Sequence, residues 1–122
     1  MTEQIYTNLA PEPLGPYSQA IASNQLLFLS GQLGLKDGQL APDLAGQTRQ
    51  AITNIQYVLA AAGLSLKNVV KTNCFLTNLD DFNEFNEVYA SFFGESAPAR
   101  SAVQVSKLPA GAIVEIEAIA IR

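Results

Sequence analysis

The chain has 122 residues, 48% of them hydrophobic and 15% charged, with a formal net charge of −4. Its length predicts one domain over residues 1–122, its apolar surplus predicts a subunit interface, and its acidic balance argues against nucleic acid as the main partner. With no histidine and a single cysteine, it has no His-based nucleophile pair, no cysteine cluster for zinc and no intramolecular disulfide.

The N-terminal segment predicts one short strand followed by an irregular stretch. Residues 1–4 lack the basic and apolar regions of a signal peptide, and no apolar run reaches transmembrane length, so we expect a cytoplasmic protein without membrane contact. Residues 5–7 are predicted to form the strand. Residues 10–16 contain three of the six prolines and Gly15. This composition interrupts regular hydrogen bonding, so the segment is irregular and places Tyr17 at the start of the next strand.

A β-hairpin is predicted by two apolar runs, residues 19–22 and 26–30, which are separated by a short polar linker. Residues 30–32 end the second strand. Gly31 marks either a simple bulge or strand end, or a point at which another backbone or a ligand approaches closely. Downstream, the Asp37-Gly38 pair predicts a turn.

Residues 43–63 carry apolar side chains at three- and four-residue steps, the pattern of one face of a long helix. Asp43 is suited to the N-cap of this helix and Gly63 to its C-terminal stop. We assign the helix to packing and not to chemistry. Its apolar stripe consists of Leu44, Thr48, Ala51, Ile52, Ile55, Val58, Leu59 and Ala62.

The next strand covers residues 68–76, and Cys74 lies among apolar neighbours there, which predicts a buried, unreactive thiol. A second helix follows the capping residues 78–81 and ends near Gly94. Asn86 falls inside the apolar stripe of this helix, where its amide either ties down a neighbouring loop or faces a pocket. The stripe itself is aromatic: Phe82, Phe85, Tyr89, Phe92 and Phe93.

Two strand-like segments near the C-terminus carry charges within otherwise apolar sequence. In residues 114–121, alternation puts Glu115 and Glu117 on one face of the strand. In residues 100–105 it puts Arg100 on the same face as Ala102 and Gln104. If the two strands pair through the turn between them, an arginine and a carboxylate would meet on one sheet surface, although spacing does not fix the register. The pattern alone leaves two interpretations open, a functional site and a surface ion pair of small energetic worth.

The predicted order of elements is β-β-β-α-β-α-β-β. Two helices of this length can cover one face of a mixed sheet, which is an α+β architecture. The sequence contains no internal repeat, phosphate-binding loop or dinucleotide-binding fingerprint.

Seven short segments along the chain form a recognisable set: Gly15-Pro16-Tyr17-Ser18-Gln19-Ala20, Ser30-Gly31-Gln32, Ala61-Ala62-Gly63-Leu64, Val70-Lys71-Thr72, Asp81-Phe82, Pro98-Ala99-Arg100-Ser101 and Val114-Glu115-Ile116-Glu117-Ala118. Together they resemble the reactive intermediate deaminase A family. The resemblance runs from about Tyr6 to Arg122. It implies a chorismate-mutase-like α+β fold and a homotrimer with a cleft at each subunit interface. It also implies hydrolysis of enamine and imine intermediates, such as 2-aminoacrylate and 2-aminocrotonate, to 2-keto acids and ammonia.

The same resemblance implies roles for individual residues. Arg100 matches the arginine that anchors the substrate carboxylate, and Glu115 matches the carboxylate that positions water. The other matched cleft positions, which contact substrate, are Tyr17, Ser30, Gly31 and Asn86. Glu117 is not the matched carboxylate and is expected to be structural. The chain departs from the family at Ala102, where many relatives have a cysteine, so a role that depends on that thiol should be absent.

The chemistry expected of these residues requires no metal and no organic cofactor. A planar guanidinium holds a carboxylate through two parallel hydrogen bonds, and a glutamate can take a proton from water as a carbinolamine forms. Two other classes of function stay open. One is a trimeric binding or chaperone-like protein that uses the same cleft for small carboxylates without turnover. The other is an RNA-cleaving enzyme, against which the acidic charge and the lack of histidine argue.

Overall fold

The structure, a computed structural model that describes residues 1–122, contains a six-stranded mixed sheet covered on one face by two helices. A separate two-stranded hairpin contains β4 (Leu35–Lys36) and β5 (Gln39–Leu40), and the helices are α1 (Leu44–Ala61) and α2 (Phe82–Phe93). The predicted α+β architecture is confirmed. The strands of the main sheet are β1 (Thr2–Ile5), β2 (Ala20–Ser23), β3 (Leu26–Leu33), β6 (Val69–Leu76), β7 (Ala99–Gln104) and β8 (Val114–Ile121).

The strands of the main sheet follow the spatial order β1-β2-β3-β8-β6-β7. All neighbours are antiparallel except β6 and β7, which run parallel. Parallel neighbours require a crossover segment, and α2 supplies it. The last strand of the chain therefore lies between β3 and β6, which places Glu115 and Glu117 in the middle of the sheet.

The predicted pairing of the arginine strand with the glutamate strand is wrong. β6 lies between them, because Thr72 pairs with Arg100 on one side and with Ala118 on the other. The buried residues of β6 need a neighbouring strand on each side, whereas β7 has no buried residue and is suited to a sheet edge. The turn at Pro109–Gly111 thus leads the chain across the sheet instead of closing a hairpin.

Helix α1 begins and ends where its capping residues predict. Asp43 accepts a hydrogen bond from the Gly46 N–H at 2.8 Å, and Gly63, just past the helix, has a φ of +76°. The predicted apolar stripe packs against β3 and β8 and forms much of the core, with Ala51, Ile52, Ile55, Val58 and Leu59 fully buried.

Helix α2 follows one turn of 3-10 helix at Leu79–Asp81, which Asn78 caps by accepting a hydrogen bond from the Asp80 N–H. The helix stops at Gly94, as predicted. Its buried side chains, Phe85, Tyr89 and Phe93, join the same core as α1. Neither helix is both long and apolar enough to cross a membrane.

Two local predictions differ from the structure, and one short hairpin was not predicted. The first strand covers Thr2–Ile5 instead of residues 5–7, because its four residues pair with the four residues of β2. Strand β3 passes through Gly31 and reaches Leu33, with a bulge near the glycine. The turn at Asp37 and Gly38 was predicted, but the β4–β5 hairpin around it was not, since each strand has only two residues. Both turn residues have positive φ, as a tight hairpin requires.

The sheet face that points away from the helices, the open face, carries exposed apolar side chains. Alternate residues of a strand point to opposite faces, so the residues between the buried core positions lie here. Large exposed apolar patches mark interaction surfaces. The open face includes Leu26, Phe28, Val103 and Ile121, which are 39%, 44%, 47% and 42% exposed.

Candidate active site

Arg100, on the edge strand β7, lies over an aromatic surface formed by α2. Its guanidinium carbon is 4.8 Å from the ring centroid of Tyr89, 5.3 Å from that of Phe82 and 5.8 Å from that of Phe85. Its Nη1 donates a hydrogen bond to Oδ1 of Asn86 at 2.8 Å. A guanidinium is attracted to aromatic faces, so these four residues of one helix fix where the charge lies.

The strand register explains why Arg100 points towards α2. Thr72 pairs with Arg100, and directly paired residues have their side chains on the same face of a sheet. Thr72 is fully buried, and its hydroxyl lies 2.7 Å from the hydroxyl of Tyr89 on α2. Arg100 therefore belongs to the face that the helices cover. Asn86, whose partner the sequence left open, binds this guanidinium.

The charge of Arg100 has no carboxylate partner within the chain. The single ion pair of the structure joins Arg122 and Glu3, with an N–O distance of 3.9 Å. Arg100 is half-buried, and among side chains only Asn86 accepts a hydrogen bond from it, although a guanidinium carries five N–H donors. A half-buried cation with free donors is suited to bind an anion, and a planar carboxylate matches its geometry best.

Glu115 lies on the open face, on the side of the sheet opposite to Arg100. Its strand neighbours Val114 and Ile116 are fully buried beneath the helices, so alternation turns Glu115 the other way. Glu115 is half-buried. Burial, and secondly the nearby Glu117, raises the pKa of its carboxyl group. A carboxylate with a raised pKa is a stronger proton acceptor than an ordinary surface glutamate.

Gly31 is packed directly against the side chain of Glu115. A Cβ placed on Gly31 would lie 2.7 Å from both Cδ and Oε2 of the glutamate. Strand β3 bulges at this point, between Leu29 and Gln32, where its register against β8 shifts. The missing side chain of Gly31 therefore gives the Glu115 carboxylate its space.

Ser30 precedes Gly31 on β3, and Tyr17 lies on the segment that leads into β2. The Ser30 hydroxyl donates a hydrogen bond to the Ser18 carbonyl at 2.5 Å, which ties the bulge to the segment that carries Tyr17. Tyr17 is 46% exposed, and its hydroxyl accepts a hydrogen bond from the Leu14 N–H at 3.0 Å. Tyr17 and Gly31 also line the same small cavity.

The site residues predicted from the sequence fall into two groups. Arg100 and Asn86 form the arginine group, on the helix-covered face at the edge of the sheet. The second group, the glutamate group, consists of Tyr17, Ser30, Gly31 and Glu115. The resemblance implies one cleft for all six residues, whereas within a single chain they form these two separate groups.

Three further residues singled out in the sequence, Glu117, Cys74 and Ala102, belong to neither group. Glu117 accepts a hydrogen bond from Nδ2 of Asn73 at 3.0 Å, which suits a structural role. Cys74 is fully buried, as predicted, and burial raises the pKa of its thiol to about 11. Ala102 lies half-buried on β7, two residues after Arg100. No cluster of three or more Cys, Asp and Glu side chains is arranged to hold a metal ion.

Sequence reasoning missed the role of the aromatic side chains around Arg100. Their spacing places Phe82, Phe85 and Tyr89 on one face of α2 together with Asn86, and it predicted packing alone. The signal available was a polar amide within an aromatic stripe, followed by a strand with one arginine. The parallel pairing of β6 and β7, which brings that arginine over the helix, has no local signal.

Comparison with known proteins relates the whole chain to one family. The family model described as endoribonuclease L-PSP matches residues 7–122. A RutC family protein of Pyrococcus horikoshii is 50% identical over 123 residues, covering 98% of this chain and 98% of that protein. The 2-iminobutanoate/2-iminopropanoate deaminase of Bos taurus is 47% identical over 121 residues, covering 97% of this chain and 88% of the bovine one.

Solved structures agree with this relationship. The crystal structure of E. coli TdcF with bound serine has a TM-score of 0.94 and 40% identity to this chain, with 98% of each chain covered. At such identity and coverage the common fold reflects common ancestry, and the chain belongs to the reactive intermediate deaminase A (RidA/YjgF) family.

Proposed function

We propose that this chain hydrolyses reactive enamine and imine intermediates, such as 2-aminoacrylate and 2-aminocrotonate, to 2-keto acids and ammonia. The observation that carries the proposal is Arg100, a half-buried guanidinium with one amide acceptor and no carboxylate partner. This unpaired guanidinium favours the binding of an external carboxylate, and 2-imino acids carry a carboxylate next to the carbon that reacts. Two parallel hydrogen bonds to that carboxylate would orient the C=N carbon.

In this proposal the two groups of site residues meet across the subunit interfaces of a homotrimer. Arg100 and Glu115 extend from opposite faces of one sheet, so a cleft that contains both takes the arginine group of one subunit and the glutamate group of its neighbour. Repeated around a closed ring, this contact completes one site at each interface. The exposed apolar residues of the open face support an interface there.

Within the cleft, Glu115 positions water and accepts its proton. Water adds to the C=N carbon of the iminium form, and Glu115 takes one of the water protons. The carbinolamine then receives that proton on nitrogen, and ammonia leaves as the C–N bond breaks. The hydroxyl group becomes the carbonyl of the 2-keto acid, and its proton passes through the glutamate to the departing ammonia, which leaves as ammonium and restores the Glu115 carboxylate. Atoms and charges balance without a metal, an organic cofactor or a covalent enzyme intermediate.

Two relatives support this class of substrate. The bovine relative is named 2-iminobutanoate/2-iminopropanoate deaminase. The E. coli relative has bound serine, whose carboxylate is of the kind that Arg100 would hold. The Pyrococcus relative carries only the RutC family name, so the activity is best measured on this chain directly.

The decisive assay couples the purified protein to a serine/threonine dehydratase and follows the decay of the released intermediate and the appearance of keto acid. We expect the wild-type protein to accelerate keto acid release and Arg100→Ala to abolish the acceleration. Arg49→Ala is the matched control, because Arg49 is exposed on α1 and belongs to neither group. An Arg100→Ala variant as active as the wild type would contradict the proposal.

The same preparation distinguishes the proposed function from its two alternatives. A binding or chaperone-like protein would bind 2-keto acids in the cleft without accelerating imine hydrolysis. The family model is described as an endoribonuclease, so RNA is incubated with a nuclease-free preparation as well. A net charge of −4 and the absence of histidine favour neither RNA binding nor an acid–base pair for RNA cleavage.

A further inference from the structure

We propose that Tyr89 is a positioning residue for the carboxylate-binding arginine, because its aromatic face holds the Arg100 guanidinium while leaving the N–H donors free for substrate. The kinetic part of this inference rests on the proposed function, and the structural part stands without it. Of the three rings near the guanidinium, that of Tyr89 is the closest, at 4.8 Å from the guanidinium carbon.

Tyr89 is itself held by contacts at both ends of its side chain. Its hydroxyl lies 2.7 Å from that of Thr72, the strand residue paired with Arg100, so one hydrogen bond links α2 to β6 beside the arginine. Its ring also packs against two others, with centroids 5.6 Å from Phe85 and 4.6 Å from Phe93. These contacts define where the ring face lies beneath the guanidinium.

An aromatic support differs chemically from a charged one. A carboxylate beside Arg100 would neutralise its charge and occupy two of its N–H donors, so it would compete with the substrate. A ring face attracts the cation through its quadrupole and accepts no in-plane hydrogen bond. Burial raises the pKa of the Tyr89 hydroxyl, so this group stays neutral and does not act as a competing anion. The support therefore orients the guanidinium and leaves its affinity for carboxylates intact.

The test compares three variants in the deaminase assay. Tyr89→Leu removes the ring, Tyr89→Phe keeps the ring and removes the hydroxyl, and Phe92→Leu is the matched control. Phe92 is a partly buried aromatic residue on the same helix that packs against the core, but it is neither among the rings that pack on Tyr89 nor among the three rings near the guanidinium. Melting temperatures record how much each substitution destabilises the fold.

We expect Tyr89→Leu to raise the KM for the imino acid roughly 2- to 30-fold, the range of a partly buried cation–π contact, with kcat within about 2-fold of wild type. Tyr89→Phe keeps a KM near that of the wild type, and Phe92→Leu leaves KM unchanged while lowering the melting temperature. Equal changes of KM in Tyr89→Leu and Phe92→Leu would overturn the inference, since they would show a general packing effect.

A second measurement tests the positioning whether or not the chain is a deaminase. The Nε–Hε resonance of Arg100, assigned by its loss in Arg100→Lys, carries a ring-current shift from the nearby aromatic faces. We expect this resonance to move and broaden in Tyr89→Leu and to stay in place in Phe92→Leu. A resonance unmoved in both variants would overturn the inference even with full deaminase activity. A wild type without deaminase activity but with the expected shift would contradict the proposed function alone.

Discussion

Arg100 and Glu115 extend from opposite faces of the same six-stranded sheet, with β6 between the strands that carry them. This arrangement prevents an ion pair between them within one chain. Each charge therefore stays available for another partner, the guanidinium for a carboxylate and the glutamate for water. The separation also makes the proposed activity depend on assembly, because under the proposal a cleft that contains both groups requires a neighbouring subunit.

Replacing Arg100 by lysine tests whether charge alone binds the substrate. A lysine keeps the positive charge but makes no pair of parallel hydrogen bonds and does not stack as a plane on Tyr89. We expect Arg100→Lys to lower kcat/KM roughly 30- to 1000-fold, the loss typical of a broken buried charge contact. Steady-state kinetics with Arg49→Lys as control measure this. A loss below about 3-fold, within the ordinary effect of a surface substitution, would contradict the anchoring role.

Two glycine substitutions distinguish an effect on the site from an effect on the stability of the fold. In Gly31→Ala the new Cβ would lie 2.7 Å from the flexible Glu115 carboxyl group, which can turn away. In Gly34→Ala it would lie 2.4 Å from the Cα of Gln47, which is helix backbone. We expect Gly31→Ala to keep a near-normal melting temperature while kcat falls roughly 10- to 100-fold, as when a general base is misplaced.

The matched variant Gly34→Ala should instead unfold at a clearly lower temperature. Thermal denaturation and the deaminase assay on both variants make the comparison. A fully active Gly31→Ala variant would count against Glu115 as the residue that positions water.

The pH dependence of the reaction reports the carboxyl group of Glu115. A base acts only when deprotonated, so kcat/KM should rise with pH through a pKa above the usual 4.5 of a glutamate. Burial is the larger cause of that raised pKa and the charge of Glu117 the smaller one. Glu117→Gln should therefore move the acidic limb part of the way towards lower pH. Glu84→Gln, exposed on α2, should leave the limb in place, and an upward shift in Glu117→Gln would contradict this assignment.

Cys74 provides a test of whether the reaction uses a thiol. Burial raises the pKa of its thiol to about 11, so at pH 8 almost none of it is the reactive thiolate. We expect no reaction with a thiol reagent in the native state and complete reaction after denaturation. Cys74→Ala should keep full deaminase activity and lose about 1 kcal/mol of stability through the small cavity it leaves. Loss of activity without loss of structure would reveal a role for the thiol.

The helices and most strands could be predicted from the sequence because their signals are local. Asp43 and Gly63 mark the ends of α1, and alternation of apolar residues marks β8. The pairing of β2 with β3 was predicted as a hairpin and is confirmed. The neighbours of β6 and β7 could not be predicted, since the place of β6 beside β7 depends on which strand needs cover on both sides. That one relationship decides that Arg100 faces α2, and it also explains why the aromatic surface beneath the guanidinium was missed.

The residues of the candidate site were proposed from the resemblance, whereas their arrangement is known only from the structure. The six matched positions followed from the resemblance, and two contacts among them, Arg100 with Asn86 and Gly31 with Glu115, are present in the structure. These pairs lie on segments that are distant in sequence, and only the tertiary fold brings each pair together. Spacing alone therefore gave neither the contacts nor the division into two groups.

Complementation between two inactive variants tests most directly whether the site forms between subunits. Arg100→Ala and Glu115→Gln chains with different tags are produced together, and assemblies that contain both are purified through both tags. In a mixed ring of three, one interface joins an intact arginine group to an intact glutamate group, so activity should recover to about one third of the wild-type value. Each variant alone should be inactive. Mixed assemblies as inactive as either variant would contradict a site shared between neighbouring subunits.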